Sequence, residues 1–231
     1  MFKRKWKEVY ERLPIERKEE GLTRISGFTN FCSDARSFRL KVLQNLLKEF
    51  PFGSVMNVCE VGCGCGDKLT FFYQLGHRCF GVDYSHNMIE RAKKEMPDAQ
   101  LHVSQANRLP FPDNAMDFVF SYGVAMYFES TKYLYEFLKE IYRIAKPGAT
   151  ICIWDVPDVK DKGKVLAFRG KHAKGYEHTY YDMNDLIQWF KSKKILSVKC
   201  EYSFIPEYRF SFHRFNITAV LNKRGKRGSR R

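Results

Sequence analysis

VCEVGCGCGDK, residues 58–68, packs three cysteines and three glycines into one short stretch. Cys59, Cys63 and Cys65 suggest metal ligands, whereas Gly62, Gly64 and Gly66, at every second position, suggest a backbone loop closing on a ligand. The cysteine spacing is Cys59-x3-Cys63-x-Cys65-x13-Cys79, which matches neither paired Cys-x2-Cys pattern and would set a tetrahedral cluster inside strands. These thiols read better as small, soft hydrophobes, and no metal is expected. The glycines follow a valine-rich buried strand, SVMNVCEV (54–61), and precede a helix, DKLTFFYQLG (67–76). That is the carboxyl edge of an α/β sheet, where open sheets bind ligands. Glycine there permits positive φ and lets a ligand approach where a Cβ would collide.

Outward from this loop, strands and helices alternate. RCFGV (78–82), AQLHV (99–103), DFVFS (117–121) and ATICIW (149–154) read as further strands. Ser85 can cap a helix with Met88, Ile89, Ala92 and Met96 on one face, stopping before Pro97. Tyr133, Leu134, Phe137, Leu138, Ile141 and Ile144 form a second helical stripe, ending at Lys146-Pro147-Gly148. Parallel neighbours need such crossovers, so the expected fold is α/β: a doubly wound, mostly parallel sheet with helices on both faces. After a helix near 182–193, ILSVKCEYSF (195–204) and HRFNITAVLN (213–222) are joined by a short loop, which predicts an antiparallel pair. They bring the sheet to seven strands, the last antiparallel. Before the first strand, Trp6, Val9, Tyr10 and Leu13 share a helical face, and a second helix is expected from Arg36 to Phe50.

The reading is one domain over 1–222, followed by a basic tail at 223–231. Residues 1–53 supply N-terminal helices or a lid, 54–156 the ligand-binding core, and 157–222 an acceptor-side segment and the final hairpin. A chain of 231 residues with 44% hydrophobic content can bury one sizeable core. No apolar run approaches a membrane span and no signal peptide is evident, so a cytoplasmic protein with reduced thiols is expected. The net charge of +14 points to polyanions. Six Lys or Arg fall in the last ten residues, NKRGKRGSRR, which read as a solvated end or an RNA contact. A second basic stretch, KDKGKVLAFRGKHAKG (160–175), reads as a loop that gathers an anionic substrate or is simply wet.

Asp83, at the end of the second strand and 21 residues after Gly62, is placed to accept hydrogen bonds from both hydroxyls of a ribose; the alternative is a turn or capping acid. The dinucleotide fingerprint is not met, because its final glycine position holds Asp67. VCEVGCGCG, GVDYSHNMIERAK, LPFPDNAMDFVFS and IAKPG, in this order, instead resemble the sequential motifs of class I S-adenosylmethionine-dependent methyltransferases of the type 11-like kind. The resemblance covers about residues 54–156 and implies a Rossmann-like fold with S-adenosylmethionine as cofactor. It implies that Glu60 and the backbone of Gly62, Cys63, Gly64 and Gly66 hold the methionine end. Asp83 would take the ribose, Tyr84 would lie against the adenine, and Ser121 and Tyr122 would line the methyl group. Family members usually carry an acid after the third strand for the adenine amino group; Gln105 stands there, beside Ala106, whose N–H would contact the ring.

Methyl transfer from a sulfonium needs alignment and water exclusion more than a fixed catalytic residue. An oxygen acceptor of high pKa would want a base, for which Tyr127, Asp155 and His178 are candidates at the sheet's carboxyl edge. Against these stand a wall residue, a loop cap and a solvated loop histidine. Asp113 and Asp117 fit a turn and a strand start. Tyr176, Tyr180 and Tyr181 could stack on an acceptor or anchor the core. A small-molecule acceptor, a sugar or metabolite, is the expected partner, with RNA the alternative that the basic surface and tail favour. A cofactor-binding scaffold without activity is the reading from another class, and oligomeric state is not legible.

Overall fold

The computed structural model describes residues 4–16, 34–169, 178–206, 208 and 211–222. Seven strands form one sheet in the order β3-β2-β1-β4-β5-β7-β6. β1 (Asn57–Val61), β2 (Arg78–Asp83), β3 (Gln100–Val103), β4 (Met116–Tyr122) and β5 (Ala145–Pro157) run parallel. β7 (Arg214–Leu221) lies antiparallel between β5 and β6 (Ile195–Tyr202). This is the doubly wound, seven-stranded arrangement that the alternating pattern predicts.

Local sequence accounts for the crossovers. Asp34 caps α2 (Ala35–Glu49) by accepting the Arg36 and Ser37 N–H groups. Ser85 caps α4 (His86–Glu95) through the Met88 N–H, and Ser130 caps α5 (Thr131–Ile144) through that of Tyr133. Each of these oxygens satisfies a donor with no partner inside its helix. Between them, α3 (Leu69–Gln74) follows the glycine loop. The strand pleat divides the core: Cys59, Val61, Val119, Ile151 and Ile217 pack with α5 and with α7 (Met183–Lys191). Val58, Phe118, Phe120 and Trp154 pack on the other face with Phe38 and Leu46 of α2 and with Phe72 of α3. Glu60 shares the pleat of Val58, so it is carried to the carboxyl edge of an apolar face. Ahead of them all, α1 (Arg4–Glu16) packs Tyr10 and Leu13 against Cys65 and Met88.

Three boundaries differ from the sequence reading. α5 stops at Ile144, and β5 begins immediately, with Ala145 paired to Met116 across a register shift. Pro147 and Gly148 therefore sit within an irregular strand start, where a missing N–H is tolerated. β5 also runs past Trp154, so Asp155 lies inside a strand and is not a loop cap. Finally, part of the basic stretch expected as a loop is helical: a turn at Val159–Asp161, opened by Asp158 accepting the Lys160 N–H, leads into α6 (Lys162–Arg169). Buried Val165 anchors that helix while its lysines stay outside. Tyr176 and the tail at 223–231 lie outside the described residues.

Phe118 is fully buried, with ring centroids 5.1 Å from Phe50 and 5.8 Å from Phe72. Phe118→Ala is expected to cost about 3–5 kcal/mol of unfolding free energy. Denaturant titration checks this, and a loss below about 1 kcal/mol would show that α2 and α3 are not held through this ring.

Candidate active site

Everything that converges on the carboxyl edge depends on the turn after β1. Gly62 and Cys63 both donate their N–H to the carbonyl of Val82, at 2.8 and 3.0 Å, so the loop folds back over the end of β2. Gly62 has φ +79°, and a Cβ there would stand 2.3 Å from Val124 Cγ2. Neither the conformation nor the space admits a side chain. Gly64 donates to Asp83 Oδ2 at 2.9 Å, while Ser85 donates to Asp83 Oδ1 at the same distance. The turn-acid role of Asp83 is therefore present, yet each carboxylate oxygen keeps a further lone pair for a ligand. Burial pushes the Asp83 carboxyl up to about 6, against the backbone donors that favour its charge.

A cleft of about 690 Å³, solvent at its mouth included, opens between this loop, β2 and the end of β4. Of the residues singled out from sequence, Gly62, Cys63, Gly64, Asp83, Tyr84, Ala106 and Tyr122 line it, as does Tyr127. Glu60, Gly66, Gln105 and Ser121 are not on its wall. Gln105 is exposed and faces a separate shallow depression with Ser104, Asn107 and Arg108, while Ser104 itself also lines the cleft. Ser121 is buried with its side chain on the opposite pleat from Tyr122. Gly66, with φ +83°, shapes the loop from behind, where a Cβ would meet Met96 and Thr70.

Glu60 lies beneath the loop, 1% exposed, and its Oε2 has no hydrogen-bond partner. Burial pushes its carboxyl up to about 8; Lys68 opposes the shift, while Asp67 adds to it. Sequence reasoning missed this pair. Lys68 is itself buried on the cleft wall, with its ammonium 5.3 Å from the centroid of Tyr122 and 3.7 Å from Asp67. Asp67 in turn holds Arg39 of α2 through its carboxylate at 2.9 Å and through its carbonyl oxygen. The signal in the sequence is the adjacency of two opposite charges, Asp67 and Lys68, to a glycine loop, a pattern that also marks a helix start. Cys59, Cys63, Cys65 and Cys79 are free and buried, and burial pushes the Cys65 thiol up to about 12, so these are neutral packing groups. Among the described residues, no group of three or more His, Cys, Asp or Glu is placed to hold a metal ion.

α1 flanks the cleft. Tyr10 lines the cleft and donates its hydroxyl to that of Tyr127 at 2.7 Å. Glu11 accepts from Ser85 Oγ and from the Asn87 N–H, at 3.0 and 3.3 Å, which fastens α1 to the start of α4. A carboxylate suits that position because helix N-termini expose free donors. Of the candidate bases, His178 is half-buried with its ring edge-on to Tyr127, centroids 5.7 Å apart, and is not a solvated loop residue. Asp155 is 1% exposed and 3.7 Å from Arg214. Tyr181 is a core anchor, donating to the Ala125 carbonyl at 2.8 Å, whereas Tyr180 stands half-buried beside His213.

Residues 59–153 match the family model described as a methyltransferase domain. Over that stretch the chain is similar to methyltransferase domains. The demethylmenaquinone methyltransferase of Listeria welshimeri is 30% identical over 154 residues, covering 61% of this chain and 64% of that protein. The chain thus spans a little under two thirds of that relative's length. A SAM-dependent methyltransferase from Thermotoga maritima superposes with a TM-score of 0.64 at 18% identity, over 93% of this chain and 98% of that one. Magnesium protoporphyrin IX methyltransferase from Synechocystis, solved with SAH, gives 0.66 at 13% identity, over 95% and 99%. The seven-stranded methyltransferase fold that the motifs implied is the fold found. Among the described residues, no helix is long and apolar enough to cross a membrane.

The raised carboxyl of Glu60 has a thermodynamic consequence. A buried acid whose folded pKa lies above its unfolded one destabilises the fold as it ionises, so stability attributable to Glu60 falls as pH rises from about 4.5 to about 8. Glu60→Gln should remove that slope. Melting temperatures across this range are expected to converge with wild type at low pH and to favour the variant near pH 8; parallel curves would contradict the assignment.

Proposed function

We propose that this chain is an S-adenosylmethionine-dependent methyltransferase that methylates a small-molecule acceptor in the cytoplasm. The observation that carries the reading is the Asp83 carboxylate, joined to the Gly64 N–H at 2.9 Å and facing a cleft floored by the glycine loop. A nucleoside with free ribose hydroxyls fits those two remaining lone pairs. The bare Oε2 of Glu60 and the space kept open by Gly62 fit the methionine end, which brings an ammonium group. Tyr84 would lie against the adenine, and the Ala106 N–H would meet its edge. Ser104 replaces Gln105 in this assignment, because Ser104 faces the cleft. Tyr122 would stand beside the methyl group, with Ser121 supporting it from the sheet.

The bound cofactor supplies a methyl group already activated on a sulfonium. What the chain adds is alignment and dryness. Tyr10 and Tyr127, bonded to each other across the mouth, would act as a lid edge that excludes water, with α1 as the movable element. The small-molecule acceptor is favoured by the relative's name, which concerns a quinone-type metabolite. The free thiols suit a reducing compartment.

Asp83→Ala removes the ribose partner and the clasp on Gly64 together. Loss of charge-assisted hydrogen bonds predicts about 10- to 100-fold weaker S-adenosylmethionine binding by calorimetry. Unchanged affinity would end the cofactor assignment.

A further inference from the structure

Asp155 and Arg214 are the most deeply buried opposite charges outside the glycine loop, each 1% exposed. Their distance, 3.7 Å from Arg214 Nε to Asp155 Oδ1, is too long for a hydrogen bond. The contact balances charge and leaves polar atoms unmet. Arg214 Nε and Nη1 have no acceptor, and neither Asp155 oxygen has a donor. Buried charges without hydrogen bonds cost several kcal/mol each, so a fold that keeps them uses them for something else. The backbone reinforces the point: Asp155 is held at φ +61°, where the β5–β7 register shifts, and its own N–H is fixed by Asn216 Oδ1 at 2.9 Å.

Neither residue lines the cleft; the pair stands behind its wall, one residue on from Trp154. The Gly123 N–H donates to the carbonyl of Trp154, the residue before Asp155, and Gly123 lines the cleft. Lys68 and Tyr127, also on its wall, are close enough to act electrostatically on Asp155 and Arg214 respectively. Tyr180, whose hydroxyl is buried without a partner, acts on Arg214 from the side of the segment after α6.

We propose that Arg214 is the anchor of the acceptor site and that the acceptor carries an oxyanion, a carboxylate or phosphate, which seats on the unmet guanidinium donors. This rests on the methyltransferase reading and deepens it. A guanidinium whose neighbouring carboxylate stands beyond hydrogen-bond reach needs acceptor oxygens, and an oxyanion supplies them with charge-assisted, bidentate geometry that a neutral oxygen matches only in part. Asp155 is then a positioning residue that holds the guanidinium from behind while the ligand takes its N–H groups.

The test is a thermal melt of the full chain with saturating S-adenosylhomocysteine, at constant ionic strength, in chloride, benzoate or inorganic phosphate. Benzoate or phosphate should raise the wild-type melting temperature by about 5 °C over chloride, and which of them does so separates carboxylate from phosphate acceptors. Arg214→Gln combined with Asp155→Asn, which leaves no buried charge unpaired, should keep the S-adenosylhomocysteine shift and lose the anion shift; Arg214→Lys should keep part of it. An anion shift that persists in the double variant, or no shift in wild type with either anion, overturns the proposal. Failure of the cofactor reading looks different: S-adenosylhomocysteine itself would then give no shift in wild type.

Discussion

One carboxylate joins the two halves of the binding edge. Asp83 ends β2, accepts the Gly64 N–H from the loop after β1, and accepts the Ser85 N–H at the start of α4. Through Ser85 the same knot reaches α1, because its hydroxyl meets Glu11. Loop, strand, helix cap and α1 therefore share a single polar junction. That economy follows from topology: parallel strands deliver their carboxyl ends to one edge, and the first two neighbours bring the loop and the acid side by side.

Around this knot the chain buries more charge than folding alone would favour. Glu60, Asp67, Lys68, Asp155 and Arg214 are all nearly inaccessible. Some are well paired, as Asp67 is with Arg39. Others are not, and their carboxyls are pushed up by burial, Glu60 to about 8 and Asp155 to about 6. Desolvated groups of this kind are poised to meet a charged ligand in a low-dielectric site, where each interaction is stronger than in water. Phe50, Phe72 and Phe118 form an aromatic cluster on the α2–α3 face of the same sheet.

The sheet was legible because its signals are local. Val58 to Val61 read as a strand buried on both faces, Ser85 as a cap and Asp83 as an acid after a strand, and each does what its neighbours in sequence predict. The misses are tertiary. Gln105 is exposed and off the cleft wall, which Ser104 and Ala106 line on either side of it, in a loop with no period to fix such placement. Asp155 read as a loop residue because β5 continues through a bulge that only pairing with β7 explains. Tyr10, distant in sequence, reaches the cleft wall through α1, and no spacing rule links it to residues 58–68.

The central claim is that the glycine loop and Asp83 together receive a nucleoside. A crystal structure of the chain with S-adenosylhomocysteine tests it most directly. Both ribose hydroxyls should lie about 2.6–3.0 Å from the Asp83 oxygens, with the Gly64 N–H still bonded behind them. A ligand bound elsewhere, or one whose ribose ignores Asp83, would contradict it.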